Sequence, residues 1–400
     1  MSSTSVHNVV IIGASFGGIP VAHELLKNVF PALNKKQAYK VILISPSAHF
    51  FWKIGSPRAI VNPAALPLEK VLLPIADGFK SYSAQQYEFL QAYVNSIDPA
   101  TKTVTTSTQA TIRYDSLVIA SGTKFATPIW SLADGTEALT RSIKEIQDKL
   151  PEAKSVVVAG GGAAGTETAG ELGDTYGGKK EITFLTGQAQ PLARLANANV
   201  GKDAQGRLEK MGIKVVNGVR ATSATKTASG QTELVLDNGE TMMVDVYIEA
   251  TGDKPNSNFV PQAWLNEKGY VLTDGKTLRL EVPGVTGVYC IGSVASYSDG
   301  SVLDTKFSLP AIVESIKLDL QGQGQSSLSS RRALLTFSEP GPRTKKIYKK
   351  IQSDMQFVPI GKTGGVGVVF GYKIPSFMVK MAKSKDFMIG NAPKLVQGTG

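Results

Sequence analysis

Cysteine is almost absent from this chain: Cys290 is the only one in 400 residues. One thiol excludes an intramolecular disulfide and excludes a catalytic dithiol within the chain. Histidine is nearly as scarce. His7, His23 and His49 are scattered, and neither they nor the acidic residues fall at metal-ligand spacing, so no metal is expected. No apolar run approaches the roughly 18 residues that signal a membrane-spanning helix. Only MSSTSVHN precedes the first strand-like run, which is short for a signal or transit peptide. Ser2 stands where N-myristoylation needs glycine. A cytoplasmic protein is the expectation. Basic tracts interleaved with aromatics are missing too. The formal net charge of +10 therefore reads as solubility and a pull toward anionic ligands, not as nucleic-acid binding.

Glycine, by contrast, is abundant at 40 residues, and the 42% hydrophobic and 19% charged content is that of a globular protein. Two glycine-rich turns organise the chain. Residues 9–20 read VVIIGASFGGIP: a β-forming run, then Gly13, Ser15 and Gly18, then helix-like sequence. Residues 155–172 read SVVVAGGGAAGTETAGEL, in which Gly160, Gly162 and Gly165 complete G-x-G-x-x-G. In such a turn the first glycine makes the bend. The second lets backbone approach a pyrophosphate, and the third lets helix pack on strand. The helix N-terminus then offers unpaired N–H groups to the phosphates. Either turn alone is a weak signal. Two of them, each between a strand and a helix, predict two nucleotide-binding domains in which Ser15 is a tolerated small residue.

Two strand exits follow where this arrangement needs them: YDSLVIASG (114–122), closed by Gly122, and VDVYIEATGDKPN (244–256). TGVYCIGSVAS (286–296) supplies a third, with Gly292 and Ser293. The expected fold is α/β, with two Rossmann-like dinucleotide-binding domains and a small α+β C-terminal domain. The first domain spans 1–125 and 280–325, the second 126–279 and the third 331–400. The Pro-rich segment 46–86 is expected to cover the cofactor, 321–330 (QGQGQSSLSS) to be a linker, and SLPAIVESIKLDL to be a helix.

VVIIGASFGGIPVAHEL, ISPSAHFFWKIGSPRAIV, EATGDKPN and the tail IGKTGGVGVVFGYKIPSFMVKMAKSKDFMIG together resemble the apoptosis-inducing-factor-like flavoproteins, in a fungal-type form of their ferroptosis-suppressor-like branch. The resemblance covers nearly the whole chain. It implies an FAD enzyme that takes hydride from NADH or NADPH and reduces a quinone-like or other small-molecule acceptor. It places Gly13, Ser15, Phe16, Gly17, Gly18, Ser45, Arg58, Val94, Gly122, Gly292 and Ser293 around FAD. It places Gly160, Gly162, Ala163, Ala164 and Gly165 around NAD(P)H, and gives Glu167 and Lys383 catalytic roles. Three positions depart from the usual pattern. Ser15 replaces a glycine, and Ser45 and Ser293 replace acids that bond the adenosine ribose and the ribityl chain. A flavin-poor, non-catalytic protein on the same scaffold, or a flavoenzyme with a dedicated biosynthetic substrate, are the alternatives. No acid stands at Thr186 or Gly187 to favour NADH, and Arg194 lies several residues on, so nucleotide preference is open. KIPSFMVKMAKSK mixes lysines with bulky apolar residues. Membrane contact there is peripheral at most, and packing on the core is expected.

Overall fold

A computed structural model describes residues 6–33, 37–322, 346–350 and 353–400. The first apolar run forms the strand Val6–Ile12, which lies at the centre of a five-stranded parallel sheet. Its order is Val288–Cys290, Ser116–Ile119, Val6–Ile12, Ala38–Ser45 and Tyr87–Gln91. Val9, Val10, Ile11 and Ile12 are all buried, as a central parallel strand covered on both faces demands. A second parallel sheet runs Ile213–Val216, Glu181–Leu185, Ser155–Ala159 and Val246–Glu249. Each sheet thus has its glycine-turn strand inside and a neighbouring strand ending beside the turn, which is the switch-point geometry of doubly wound folds.

The chain passes between the two units on an antiparallel pair, Thr123–Phe125 against Asp253–Pro255. The return therefore precedes the expected boundary at 279. Asn256 N–H bonds the Gly122 carbonyl at 2.9 Å and Ile97 N–H bonds that of Phe259 at 3.1 Å. Val260, Trp264 and Val271 then pack with Val10, Ile12, Leu117 and Ile119. Residues 256–279 belong to the first unit because their apolar side chains are buried there.

The expected late helix runs Val302–Leu320, capped by the Ser301 hydroxyl accepting from Asp304 N–H at 2.9 Å, and it tolerates Pro310. Of the expected linker, all but residues 321 and 322 lies outside the described residues, as does the beginning of the expected third domain. The tail forms a small sheet, Met355–Pro359, Gly365–Val369 and Tyr372–Lys373, followed by the helical stretch Ser376–Ser384 and the helix Ala392–Val396. Val358, Ile360, Val366 and Val368 enter the main core with Val158 and Leu172. The KIPSFMVKMAKSK stretch is two-faced: Val379 and Ser384 are buried, whereas Phe377, Met378 and Met381 are exposed.

Candidate active site

The two glycine turns obey the same sterics. Gly13 and Gly160 have positive φ (+108° and +123°), and a Cβ on either would lie 2.4 or 2.2 Å from the carbonyl oxygen of the neighbouring strand, Ala120 or Ala250. A Cβ on Gly18 would meet the Gly13 oxygen at 1.8 Å, and one on Gly165 the Gly160 oxygen at 1.9 Å. Both outer positions are therefore closed to any side chain. The middle position is not: a Cβ on Gly162 finds no protein atom within 4 Å. This explains why serine is accepted at position 15. The fold leaves that direction open, and only a ligand would fill it.

The first turn opens into a cavity of about 670 Å³, within the roughly 300–1,000 Å³ range of cofactor sites. Gly13, Ser15, Phe16, Gly17, Ser45, Val94, Gly122, Gly292 and Ser293 all line it. Gly18 lies beneath the turn, where it permits close helix packing. A cavity of this size, lined by the turn that leads into a helix and by several small residues, fits a dinucleotide. Gly122 and Ser293 face each other there, a Cβ on the former lying 3.7 Å from the Ser293 hydroxyl.

Sequence reasoning missed Lys53. It lines the same cavity, with its ammonium 5.9 Å from the Phe16 ring centroid. Burial lowers its pKa, opposed by the charge of Asp253. No periodicity or spacing singles it out in FFWKIG, because the short helical turn at Lys53–Gly55 turns it inward only in the folded chain.

Arg58 is not in this cavity. It is 3% exposed and its guanidinium makes four hydrogen bonds elsewhere. Nε and Nη2 donate to the two Glu171 oxygens at 2.8 Å each, Nη1 donates to the Lys385 carbonyl and Nη2 to that of Ser384, both at 2.9 Å. The expectation that Arg58 contacts the cofactor is corrected accordingly: it clamps the helix Ala163–Tyr176 to the tail. A buried charge needs a counter-charge and satisfied donors, and this geometry supplies both.

Glu167 and Lys383, nominated from motifs at opposite ends of the chain, meet. Lys383 Nζ donates to Glu167 Oε1 and sits 5.6 Å from the Phe387 ring centroid. Glu167 is 3% exposed; burial pushes its pKa up to about 7, against the pull of Lys383. Glu171, one turn on, is also raised by burial and held back by Arg58. The pair does not line the first cavity. Glu167 lies one turn into the helix that opens at Gly162, where Ala163 and Ala164 form the first turn. That helix packs on the helix Ser56–Val61. Cys290 is wholly buried, and burial pushes its thiol up to about 12, which removes thiolate chemistry.

The profile of the pyridine nucleotide-disulphide oxidoreductases matches residues 7–316. The chain belongs to this family. It is 35% identical over 396 residues to oxidoreductase ptaL of Pestalotiopsis fici, covering 98% of this chain and 99% of that one. It is 25% identical over 399 residues to ferroptosis suppressor protein 1 of Xenopus tropicalis, covering 96% and 95%. This is a relative of the kind the sequence resembles. The sulfide:quinone oxidoreductase of Aquifex aeolicus has the same fold, with TM-score 0.72 and 17% identity over 98% of this chain and 92% of that one. The chain is an NAD(P)H-dependent flavin oxidoreductase whose cofactors are FAD and NAD(P)H. No helix among the described residues is long and apolar enough to cross a membrane.

Proposed function

We propose that this family member moves two electrons from NAD(P)H through FAD to a quinone-like small-molecule acceptor, without a cysteine relay. The carrying observation is the 670 Å³ cavity that gathers the first turn, Ser45, Val94, Gly122 and Ser293 around one space, in a chain whose single cysteine is buried. Bound FAD supplies the hydride-accepting ring and releases the electrons to the acceptor. The first turn binds the FAD pyrophosphate, and Ser45 and Ser293 serve its ribose and ribityl hydroxyls as neutral hydrogen-bond partners. The turn at Gly160–Gly165 holds NAD(P)H. Lys53 presents positive charge to the cavity. Glu167, with a pKa near neutrality, holds or gives up a proton beside Lys383 during turnover. What supports a quinone-like acceptor is the shared fold of the sulfide:quinone oxidoreductase of Aquifex aeolicus. A cytoplasmic protein with peripheral membrane contact at the exposed tail residues is part of the same proposal.

The test is an absorbance spectrum of the purified protein followed by anaerobic NADH and NADPH titration, then reoxidation by short-chain quinones. A yellow protein bleached without added thiol and reoxidised by quinone is expected. A colourless protein that takes up no FAD refutes the reading. Bleaching without reoxidation by any quinone would shift it to a dedicated substrate.

A further inference from the structure

The end of the strand Glu181–Leu185 lies directly beside the second glycine turn. Gly160 N–H bonds the Leu185 carbonyl at 2.8 Å and Gly161 N–H that of Thr186 at 3.0 Å. In this fold the adenosine ribose sits at that strand end, where a carboxylate receives the 2′-hydroxyl of NAD or an arginine accommodates the 2′-phosphate of NADP. Thr186 does neither. Its side chain is turned inward, with the hydroxyl bonded to the Gln188 carbonyl at 2.6 Å, and the residue is 2% exposed.

The next residue, Gly187, has φ +63° and carries no side chain, but the space beside it is occupied. A Cβ there would lie 2.9 Å from Arg220 Cγ and 3.2 Å from its Nε. Arg220 comes from a separate segment, and three hydrogen bonds fix that segment in place. Gly187 N–H bonds the Val219 carbonyl at 3.0 Å, Asp237 N–H bonds the Arg220 carbonyl at 2.9 Å, and Arg220 N–H bonds Asp237 Oδ1 at 3.0 Å. Its Nε donates to the Gly187 carbonyl at 3.0 Å. Among the described residues, Nη1 and Nη2 have no protein partner, and Arg220 forms no ion pair. The residue is exposed. A guanidinium with one edge anchored and its terminal amines free is oriented for a dianionic phosphate.

We propose that Arg220 receives the 2′-phosphate of NADP(H), making NADPH the preferred hydride donor. The inference rests on the assignment of the second turn to NAD(P)H. The Asp237 carboxylate, bonded to the Arg220 N–H, is the negative charge that opposes it.

The experiment measures binding by the FAD-loaded full chain, not turnover. NADP⁺, NAD⁺, 2′,5′-ADP and 5′-AMP are titrated into wild type, Arg220→Ala and Arg220→Gln; the last keeps a donor for the Gly187 carbonyl. Wild type is expected to favour each 2′-phosphorylated ligand by roughly 10- to 100-fold, the worth of a charge-assisted phosphate contact. Both variants should reduce that ratio to near one, and high salt should reduce it in wild type. A wild type that binds NAD⁺ as tightly as NADP⁺, or variants that keep the wild-type ratio, overturns the role of Arg220 and leaves the second turn standing. Failure of all four ligands to bind overturns both.

Discussion

Replacing Glu167 with glutamine should flatten the pH dependence of stability. Glu167 has an ordinary carboxyl pKa of 4.5 in the unfolded chain and about 7 in the folded one, because burial disfavours the anion more than Lys383 favours it. The folded state therefore binds the proton more tightly. Stability from this group is full below about 4.5 and falls as pH rises toward and through about 7. The difference is worth about 3 kcal/mol at alkaline pH, at about 1.36 kcal/mol for each pKa unit. Glutamine matches the protonated form in shape and does not titrate, and Lys383 is present in both proteins. Thermal midpoints of the FAD-loaded protein and of Glu167→Gln, measured from about pH 4 to about pH 8, should start close together and diverge. The variant should end the more stable by several degrees. Parallel curves would mean that Glu167 is ionised throughout and that the Lys383 pair outweighs its burial. If Glu167 also exchanges a proton in turnover, the variant's rate should be lower and lose an inflection near neutral pH.

Gly162→Val should fold and keep FAD but lose NADP⁺ binding, since its side chain enters only ligand space; Gly165→Ala should lose thermal stability, its Cβ meeting backbone oxygen at 1.9 Å. Normal nucleotide titration of the first, or normal melting of the second, would refute the steric account. Ser293→Asp should tighten FAD roughly five- to tenfold in titrations of apoprotein, a charge-assisted bond replacing a neutral one. Arg58→Leu should lower stability by about 3–5 kcal/mol at pH 8 by stranding Glu171, and by less at pH 5, because burial already disfavours the Glu171 anion. Urea midpoints at the two pH values check this, and an unchanged midpoint would deny the clamp.

Much of the framework was legible because it is written in local sterics. The positions of Gly13, Gly18, Gly160 and Gly165 follow from backbone that admits no side chain, and the apolar runs before them read as strands. Glu167 and Lys383 were nominated separately, yet their contact was not readable, for 216 positions separate them. Arg58 was misplaced because a motif records which residue is present and not which way it points; its buried partner Glu171 decides the direction. Arg220 was missed because it reaches Gly187 from 33 positions away, through a turn whose approach only the fold defines. The packing of Trp264 and Val271 with Val10 and Ile12, ahead of 279, is not legible because neither residue carries a marker of which core it enters.

The clamp between Arg58, Glu171 and the tail also sets a schedule. Arg58 is made before Glu171, so that ion pair can form early, but two donors of the guanidinium and the carboxylate of Glu167 must wait for residues 383–385. At ~5–20 residues per second, the 216 positions between Glu167 and Lys383 take on the order of tens of seconds to synthesise. During that interval the nascent helix carries two carboxyl groups bound for the interior with only one of them partnered. The contact surface between this helix and the tail is therefore completed late in synthesis, when Lys383, Ser384 and Lys385 become available.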